Sequence, residues 1–368
     1  MNKIAIVAIT KHGIDIAEKI KSQLHDAKVF VPDKHKLYYE EKKNNGKSMI
    51  SDINWFSEQT SKFIPELFKT FDALVCIFSL GAVIRLIAPV LSDKKNDPAV
   101  LVIDDQHQFV ISALSGHLGG ANELTKTVAE ILNSIPVITT AADVNNTISV
   151  DLLGKDLGWI IDDFSNVTAI SAHMVNEEKI AVFQSTGQTN WWQKEKKMLP
   201  KNVFVVHDID DLKKSEFKGC LIISDQIIYD EEILKKSVIY RPKSLVVGVG
   251  LHWDTSMDVI ENGITEVFDK YKLSLKSINK ITSLDRGTPV RGLSEFCQKY
   301  GLELKLFGRA ELSGVQVPNP SDVVKKYEGT PSVSEASCIL GSVNGSLIVT
   351  KQIFPPNLTI AICRTEFE

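Results

Sequence analysis

Ala73-Leu74-Val75-Cys76-Ile77-Phe78-Ser79-Leu80-Gly81-Ala82 runs from an unbroken apolar segment straight into a polar and glycine turn, and that succession decides the fold class. A short apolar run bounded by turn residues reads as a buried strand. Between Phe71 and Asp143 the succession occurs three times, ending at Ser79-Leu80-Gly81-Ala82, at Ser115-Gly116-His117-Leu118-Gly119-Gly120-Ala121-Asn122, and at Thr139-Thr140-Ala141-Ala142-Asp143. Past the second turn, Leu124, Val128, Ile131 and Leu132 form one apolar helix stripe. Upstream, Ile4 to Ile9 ends in Thr10-Lys11-His12-Gly13, and Ile16, Ile20 and Leu24 then recur at helical spacing. Strands alternating with helices predict an α/β protein with a largely parallel N-terminal sheet flanked by helices, whose ligands gather at the carboxyl ends of the strands. On this reading all three turns meet at one sheet edge.

Working outward, Lys28 to Val31 is a strand that stops at Pro32-Asp33, and the polar, lysine-rich stretch from Lys34 to Ser51 reads as a mobile surface excursion before order returns near Trp55. Ala99 to Ile103 and Phe109 to Ala113 read as paired strands across Asp104-Asp105-Gln106-His107, and Pro136-Val137-Ile138 opens another. Residues 144 to 240 carry a predicted helix from Val150 to Leu157 and short strands at Lys179 to Phe183, Val203 to Val206 and Cys220 to Ile223, a small α/β middle module. Arg241-Pro242-Lys243 is a linker. Beyond it Ser244 to Val249 restarts as a buried strand, and the loop Gly248 to Ser256 leads into a helix with Ile260, Ile264, Val267, Phe268 and Tyr271 on one face. Ser332-Val333-Ser334-Glu335 has capping-box spacing. Leu347 to Thr350 and Leu358 to Cys363 read as a terminal hairpin. The domains expected are therefore 1–143, 144–240 and a separate C-terminal α/β domain at 244–368.

The 368 residues, 43% of them hydrophobic and 24% charged, give room for two or three domains with real cores. A formal charge of -4 without a Lys/Arg stripe excludes a strongly basic nucleic-acid binder. Leu74 to Leu91 is apolar for about the minimum length of a membrane span. Arg85, Gly81 and Pro89 argue for a strand, a turn and a short helix instead, so no membrane is expected. The five cysteines (Cys76, Cys220, Cys297, Cys338, Cys363) lie far apart with no CxxC pair, which suits buried free thiols better than disulfides or zinc, and points to the cytoplasm. The N-terminus enters a strand at once, with no signal-peptide pattern. Histidines are scattered without metal-ligand spacing.

The chemistry concentrates in the second turn. Gly116, Gly119 and Gly120 allow positive φ and close backbone approach, so N–H groups at the helix start near Asn122 can converge on a carboxylate or on the oxyanion of an acyl transfer. His117 among them suits a general base toward water. The duller alternative is a tight turn in which His117 bonds a backbone carbonyl. Ser115 is a conceivable nucleophile, but no G-x-S-x-G elbow surrounds it and a capping role competes. Arg85, one helical turn past Gly81, offers a fork of donors to a carboxylate, or pairs with Asp97. Thr139, Thr140 and Asp143 bond polar substrate edges or cap the helix that follows. Neither a P-loop nor a full dinucleotide fingerprint is present, and Gly248-x-Gly250 is half of one. Trp191 and Trp192 line a flat ligand or anchor a loop on the core.

Taken together these residues resemble the CbiG family of cobalamin-biosynthesis proteins, the cobalt-precorrin-5A hydrolases. The resemblance lies in Thr10-Lys11-His12-Gly13, Gly81-Ala82-Val83-Ile84-Arg85, Asp93-Lys94 with Asp97-Pro98-Ala99-Val100, Leu114-Ser115-Gly116-His117 with Gly119-Gly120-Ala121-Asn122, and Val137-Ile138-Thr139-Thr140-Ala141. It extends through Asp151-Leu152-Leu153 to Gly248-Val249-Gly250, Val333-Ser334-Glu335-Ala336 and Lys351. The C-terminal domain departs from the pattern, with Leu251 where a cysteine is usual, and Gly287 and Val290 where a lysine and a glutamate are usual. The resemblance implies opening of the δ-lactone that joins the ring A acetate to the meso carbon, followed by loss of that carbon and its methyl group as acetaldehyde. It implies a cobalt-bearing tetrapyrrole as substrate, no protein cofactor because the cobalt arrives with that substrate, and contacts to its acidic arms from Arg85, Lys94, Lys11 and the helix start at Asn122. A noncatalytic corrinoid-binding or channelling protein, in contact with other enzymes of the pathway, is the competing reading. A nucleotide-binding protein using the Gly250 loop is a third.

Overall fold

Seven strands in the order β3-β2-β1-β4-β5-β6-β7 build the first sheet: β1 (Ile4–Ala8), β2 (Lys28–Pro32), β3 (Ile53–Phe56), β4 (Ala73–Ile77), β5 (Ala99–Ile103), β6 (Phe109–Leu114) and β7 (Ile135–Val137). The computed structural model describes residues 3–44, 52–93, 96–117, 119–141, 147–192 and 198–367. By contacts these fall into two units, Met1–Leu152 and Leu153–Glu368.

Alternation along the strands sorts the first unit's core onto two faces. Ile6, Ala8, Val29, Val75, Ile77 and Leu101 pack under α1 (Lys11–Lys21) and α5 (Ala121–Leu132), while Ala5, Val7, Leu74, Cys76 and Val102 pack against α3 (Thr60–Thr70) and α4 (Leu80–Ile87). Each fully buried Ile, Leu or Val of these strands contributes roughly 1.5–3 kcal/mol of transfer free energy. Over its described part the expected mobile excursion is instead helix α2 (Lys36–Asn44), and residues 45–51 of it lie outside the described residues. Tyr39 is buried with its ring 5.7 Å from that of Trp55, and Lys42 is paired with Asp15 and Glu18 of α1. These long-range partners leave no local periodicity.

Strand direction corrects a second expectation. β1 to β5 are parallel, but β6 runs antiparallel to β5, with Leu114 opposite Val100 and Val110 opposite Ile103, and β7 is parallel to β6. The turns after β6 and β7 therefore lie at the edge where β4 and β5 begin, opposite the edge where β1, β4 and β5 end. The three turns do not meet at one edge.

In the second unit, β8 (Ile160–Ile161), β9 (Ile180–Gln184), β10 (Val203–Val206), β11 (Gly219–Ile223) and β12 (Ser237–Arg241) form a sheet in the order β10-β9-β11-β12-β8, flanked by α6 (Val167–Val175) and α7 (Glu231–Leu234). The expected helix over Val150 to Leu157 is absent; the chain makes turns there and a single 3₁₀ turn at Lys155–Leu157, where Gly154 and Gly158 bracket it at φ +73 and +74°. The third sheet follows the order β15-β14-β13-β17-β16, from β13 (Leu245–Leu251), β14 (Ile278–Leu284), β15 (Glu303–Phe307), β16 (Ser346–Phe354) and β17 (Leu358–Arg364). Its helices are α8 (Met257–Lys270), α9 (Arg291–Tyr300), α10 (Arg309–Ser313), α11 (Asp322–Glu328) and α12 (Val333–Gly341). β16 and β17 pair antiparallel, as the expected terminal hairpin requires.

Three details differ from the sequence reading. Gly248 and Gly250 lie inside β13 rather than in a loop, because α12 packs directly on them: a Cβ on Gly248 would come within 1.9 Å of the Ser334 carbonyl oxygen. Ser332 does cap α12 by accepting from the Glu335 N–H, but the buried Glu335 carboxylate accepts from the Asn319 and Lys351 amides instead of closing a capping box. Cys338 of α12 and Cys363 of β17 form a disulfide, with Cα atoms 5.8 Å apart, whereas Cys76, Cys220 and Cys297 are the expected buried thiols. Two cysteines 25 residues apart in sequence gave no local signal for that bridge.

Candidate active site

The edge at the start of β5 carries the histidine–glycine turn. Ser115 leaves β6 at φ +56° and its hydroxyl donates to the Asp97 carbonyl at 2.8 Å. The amides of Gly120, Ala121 and Asn122 donate to the carbonyls of His117, Ser115 and Gly116 at 3.0, 3.1 and 2.9 Å. The turn thus closes on itself, and these three N–H groups face its own carbonyls instead of a ligand. Asn122 is buried; its Oδ1 accepts from Ser112 at 2.7 Å and its Nδ2 donates to Thr140 at 3.0 Å, which ties the turn after β7 to the turn after β6. Gly116 is obligatory beside that pair, since a Cβ would lie 2.7 Å from Asn122 Oδ1. Gly119 packs as tightly on Ser115, and Gly120 holds φ +80°.

His117 faces inward. Its side chain is 10% exposed and its Nδ1 lies 3.5 Å from the Asp151 carboxylate, itself 5% exposed. A carboxylate behind an imidazole is what fixes the ring of a general base. Nothing in the local sequence marks Asp151 for this role, because 34 residues separate the two.

Lys11, Gly81 and Arg85 lie at the opposite edge. Gly81 is in the first turn of α4, and Arg85 folds back along that helix so that Nη1 donates to the Gly81 carbonyl at 2.9 Å; Asp97 instead accepts from the Ser92 amide. Lys11 opens α1, with its ammonium 4.9 Å from the centre of the Tyr38 ring. Thr10, at the same edge, donates to Asp105 Oδ1 at 2.6 Å and accepts from the Gly13 amide at 2.9 Å, and His12 Nδ1 lies 3.1 Å from Asp105 Oδ2. The Thr10 hydroxyl and the His12 ring hold the Asp105 carboxyl below its ordinary range, against a smaller opposing effect of burial. Sequence reading missed Asp105 because Asp104 and Asp105 look like plain hairpin-turn residues. Thr139 is exposed, and Lys94 and Asp143 lie outside the described residues.

Burial pushes the Cys76 thiol up to about 12, and those of Cys220 and Cys297 up to about 11, which leaves none of the three as a thiolate nucleophile near neutral pH. Trp191 is anchored as a loop residue, its indole N–H donating to Gln184 at 3.0 Å. Among the described residues no group of three or more His, Cys, Asp or Glu side chains is placed to hold a metal ion, and no helix is long and apolar enough to cross a membrane.

A cobalt-precorrin-5A hydrolase from Priestia megaterium is 40% identical over 366 residues, covering 99% of this chain and 95% of the relative. The chain belongs to the CbiG family. Family models for the cobalamin synthesis G N-terminal, the cobalamin biosynthesis central region and the cobalamin synthesis G C-terminus match residues 62–143, 148–242 and 245–363. A cobalt-precorrin-5A hydrolase from Salmonella typhimurium is 31% identical over 276 residues, 73% of this chain and 76% of that one. Among solved structures, a putative cobalamin biosynthesis protein G homolog from Sulfolobus solfataricus aligns over 99% of this chain and 98% of its own at 22% identity, with a TM-score of 0.38. The CbiG-like stretches of the first unit divide between its two edges, Thr10-Lys11-His12-Gly13 and Gly81 to Arg85 on one, Ser115 to Asn122 on the other. At two of the positions where the C-terminal domain departs from the family pattern the side chains are apolar and buried, Leu251 ending β13 and Val290 preceding α9.

Proposed function

We propose that this chain is a cobalt-precorrin-5A hydrolase of cobalamin biosynthesis, working in the cytoplasm. The observation that carries the reading is the near end-to-end identity with a relative of that name. The reaction is the opening of the ring A acetate δ-lactone by water and the release of the C2 fragment as acetaldehyde, giving cobalt-precorrin-5B. The cobalt belongs to the substrate, so the protein's tasks are to hold acidic side arms, place one water and accept its proton. Lys11 and the guanidinium of Arg85 are cations for the arms. Two imidazoles backed by carboxylates, His117 with Asp151 and His12 with Asp105, are available for the proton.

The test is incubation of the purified protein with cobalt-precorrin-5A, with acetaldehyde assayed and the corrinoid followed by mass spectrometry. Release of acetaldehyde with loss of a C2 unit is the expected result. Tight binding of an unchanged corrinoid would instead identify a noncatalytic carrier that hands the intermediate to neighbouring enzymes.

A further inference from the structure

We infer that the water-activating base is His12, oriented by Asp105 and Thr10 at the carboxyl edge of the first sheet, and not the histidine of the glycine turn. This rests on the hydrolase reading above. Strand order places the edge: the chain leaves β1 for β2 and β3 on one side and returns to β4 and β5 on the other, so the order reverses between β1 and β4. In open α/β sheets ligands lodge at that reversal, outside the carboxyl ends of the two strands, where the following helices pass to opposite faces. Here those helices are α1 and α4, which do pack on opposite faces. His12 stands in the first turn of α1, and the turn that opens α4 carries Gly81, whose carbonyl holds Arg85.

The local geometry meets the demands of a base. Asp105 accepts the Thr10 hydroxyl on one oxygen and faces His12 Nδ1 on the other. An ionised carboxylate only accepts, so Nδ1 carries the hydrogen and the lone pair of the neutral ring sits on Nε2. Thr10 is itself fixed by the Gly13 amide, and Gly13 is held against Ala8 and Ile77 closely enough that a Cβ would be 3.4 Å from each. The support is thus continuous from the sheet to the imidazole. His12 is 67% and Asp105 46% exposed, whereas the His117 side chain is 10% exposed. The first pair is open at the surface, and the second is largely covered.

In the reaction, the water oxygen bonds to the lactone carbonyl carbon while its proton passes to His12 Nε2. The tetrahedral adduct then collapses, the ester C–O bond breaks towards the ring-side oxygen, and that oxygen takes the proton back. Water and lactone are converted to carboxylic acid and alcohol with nothing left over.

The experiment compares His12→Ala and His117→Gln with the parent protein in acetaldehyde release from cobalt-precorrin-5A, each variant checked for folding by circular dichroism. His12→Ala is expected to lose on the order of 10²–10⁴-fold in kcat with KM changed only a few-fold, and to recover at least about tenfold of the loss with added imidazole. His117→Gln is expected to lose at least about tenfold less in kcat than His12→Ala, and an equal loss in the two folded variants overturns the assignment. A folded His12→Ala protein that turns over normally, or a folded His117→Gln protein that is inactive beside an active His12→Ala, overturns the assignment while leaving the hydrolase reading intact. A parent protein that binds the corrinoid and releases no acetaldehyde overturns the hydrolase reading itself.

Discussion

Asn122 shows how one residue type can promise a ligand contact and deliver architecture. At the start of a helix, after three glycines, it looks like a donor waiting for an anion; folded, it is 2% exposed and spends both ends of its amide on Ser112 and Thr140. Replacing it with alanine takes a partner from a half-buried hydroxyl on each side, so Asn122→Ala is expected to destabilise the first unit by about 1 kcal/mol in urea denaturation, with KM for the corrinoid little altered. Gly119 makes the complementary point. A Cβ there would lie 2.4 Å from Ser115 Cβ and 2.8 Å from the Ser115 carbonyl oxygen, a backbone neighbour that cannot swing aside. Gly119→Ala is expected to cost about 1–3 kcal/mol by the same measurement. The residue types at this turn were legible in the sequence; the direction of their polar atoms was not, because it depends on carbonyls at Ser115, Gly116 and His117 that the turn itself brings round.

Elements were most legible where burial is continuous. β4 and β5 are buried at every position, and an unbroken apolar run is the direct trace of a strand covered on both faces. The hairpin across Asp104 to His107 was legible, but its consequence was not drawn: it reverses β6, and β7 follows it, which moved two of three turns to the far edge. The Gly248-x-Gly250 pair was misread, since a glycine that admits a phosphate and one that admits a helix look alike in sequence. Here α12 lies on β13 with the Ser334 carbonyl and Cys338 over Gly248. Gly248→Ala must lift that helix, and a loss of about 3 kcal/mol in thermal or denaturant unfolding is expected. Gly287→Ala, where φ is +82° but a Cβ meets nothing within 4 Å, is expected to cost only about 1 kcal/mol of backbone strain. Calorimetry with nucleotides or S-adenosylmethionine is expected to show no heat, the glycines of β13 being occupied by the protein itself.

At the scale of the second unit, the two sheets are joined by charge as well as by chain. Asp225, fully buried, accepts from Ser244 at 2.8 Å and from Arg364 Nε and Nη2 at 2.7 and 2.8 Å, and Asp162 receives Arg241 at 2.7 Å and Lys276 at 2.8 Å. Removing one partner of a buried pair leaves an uncompensated charge, so Arg364→Met is expected to destabilise the unit by about 3–5 kcal/mol. Asp162 adds a dependence on pH. Burial alone would raise its pKa, but the hydrogen bonds and charges of Lys276 and Arg241 outweigh it and hold the carboxyl below its ordinary value. A carboxyl lowered by folding stabilises the native state above its unfolded pKa, and that contribution disappears as pH falls through the folded pKa. The denaturant midpoint of the parent protein is therefore expected to decline on acidification below about pH 4. In Asp162→Asn the neutral midpoint is expected to be lower and the acid-side decline shallower. An unchanged acid slope in that variant would show that Lys276 and Arg241 do not stabilise the carboxylate.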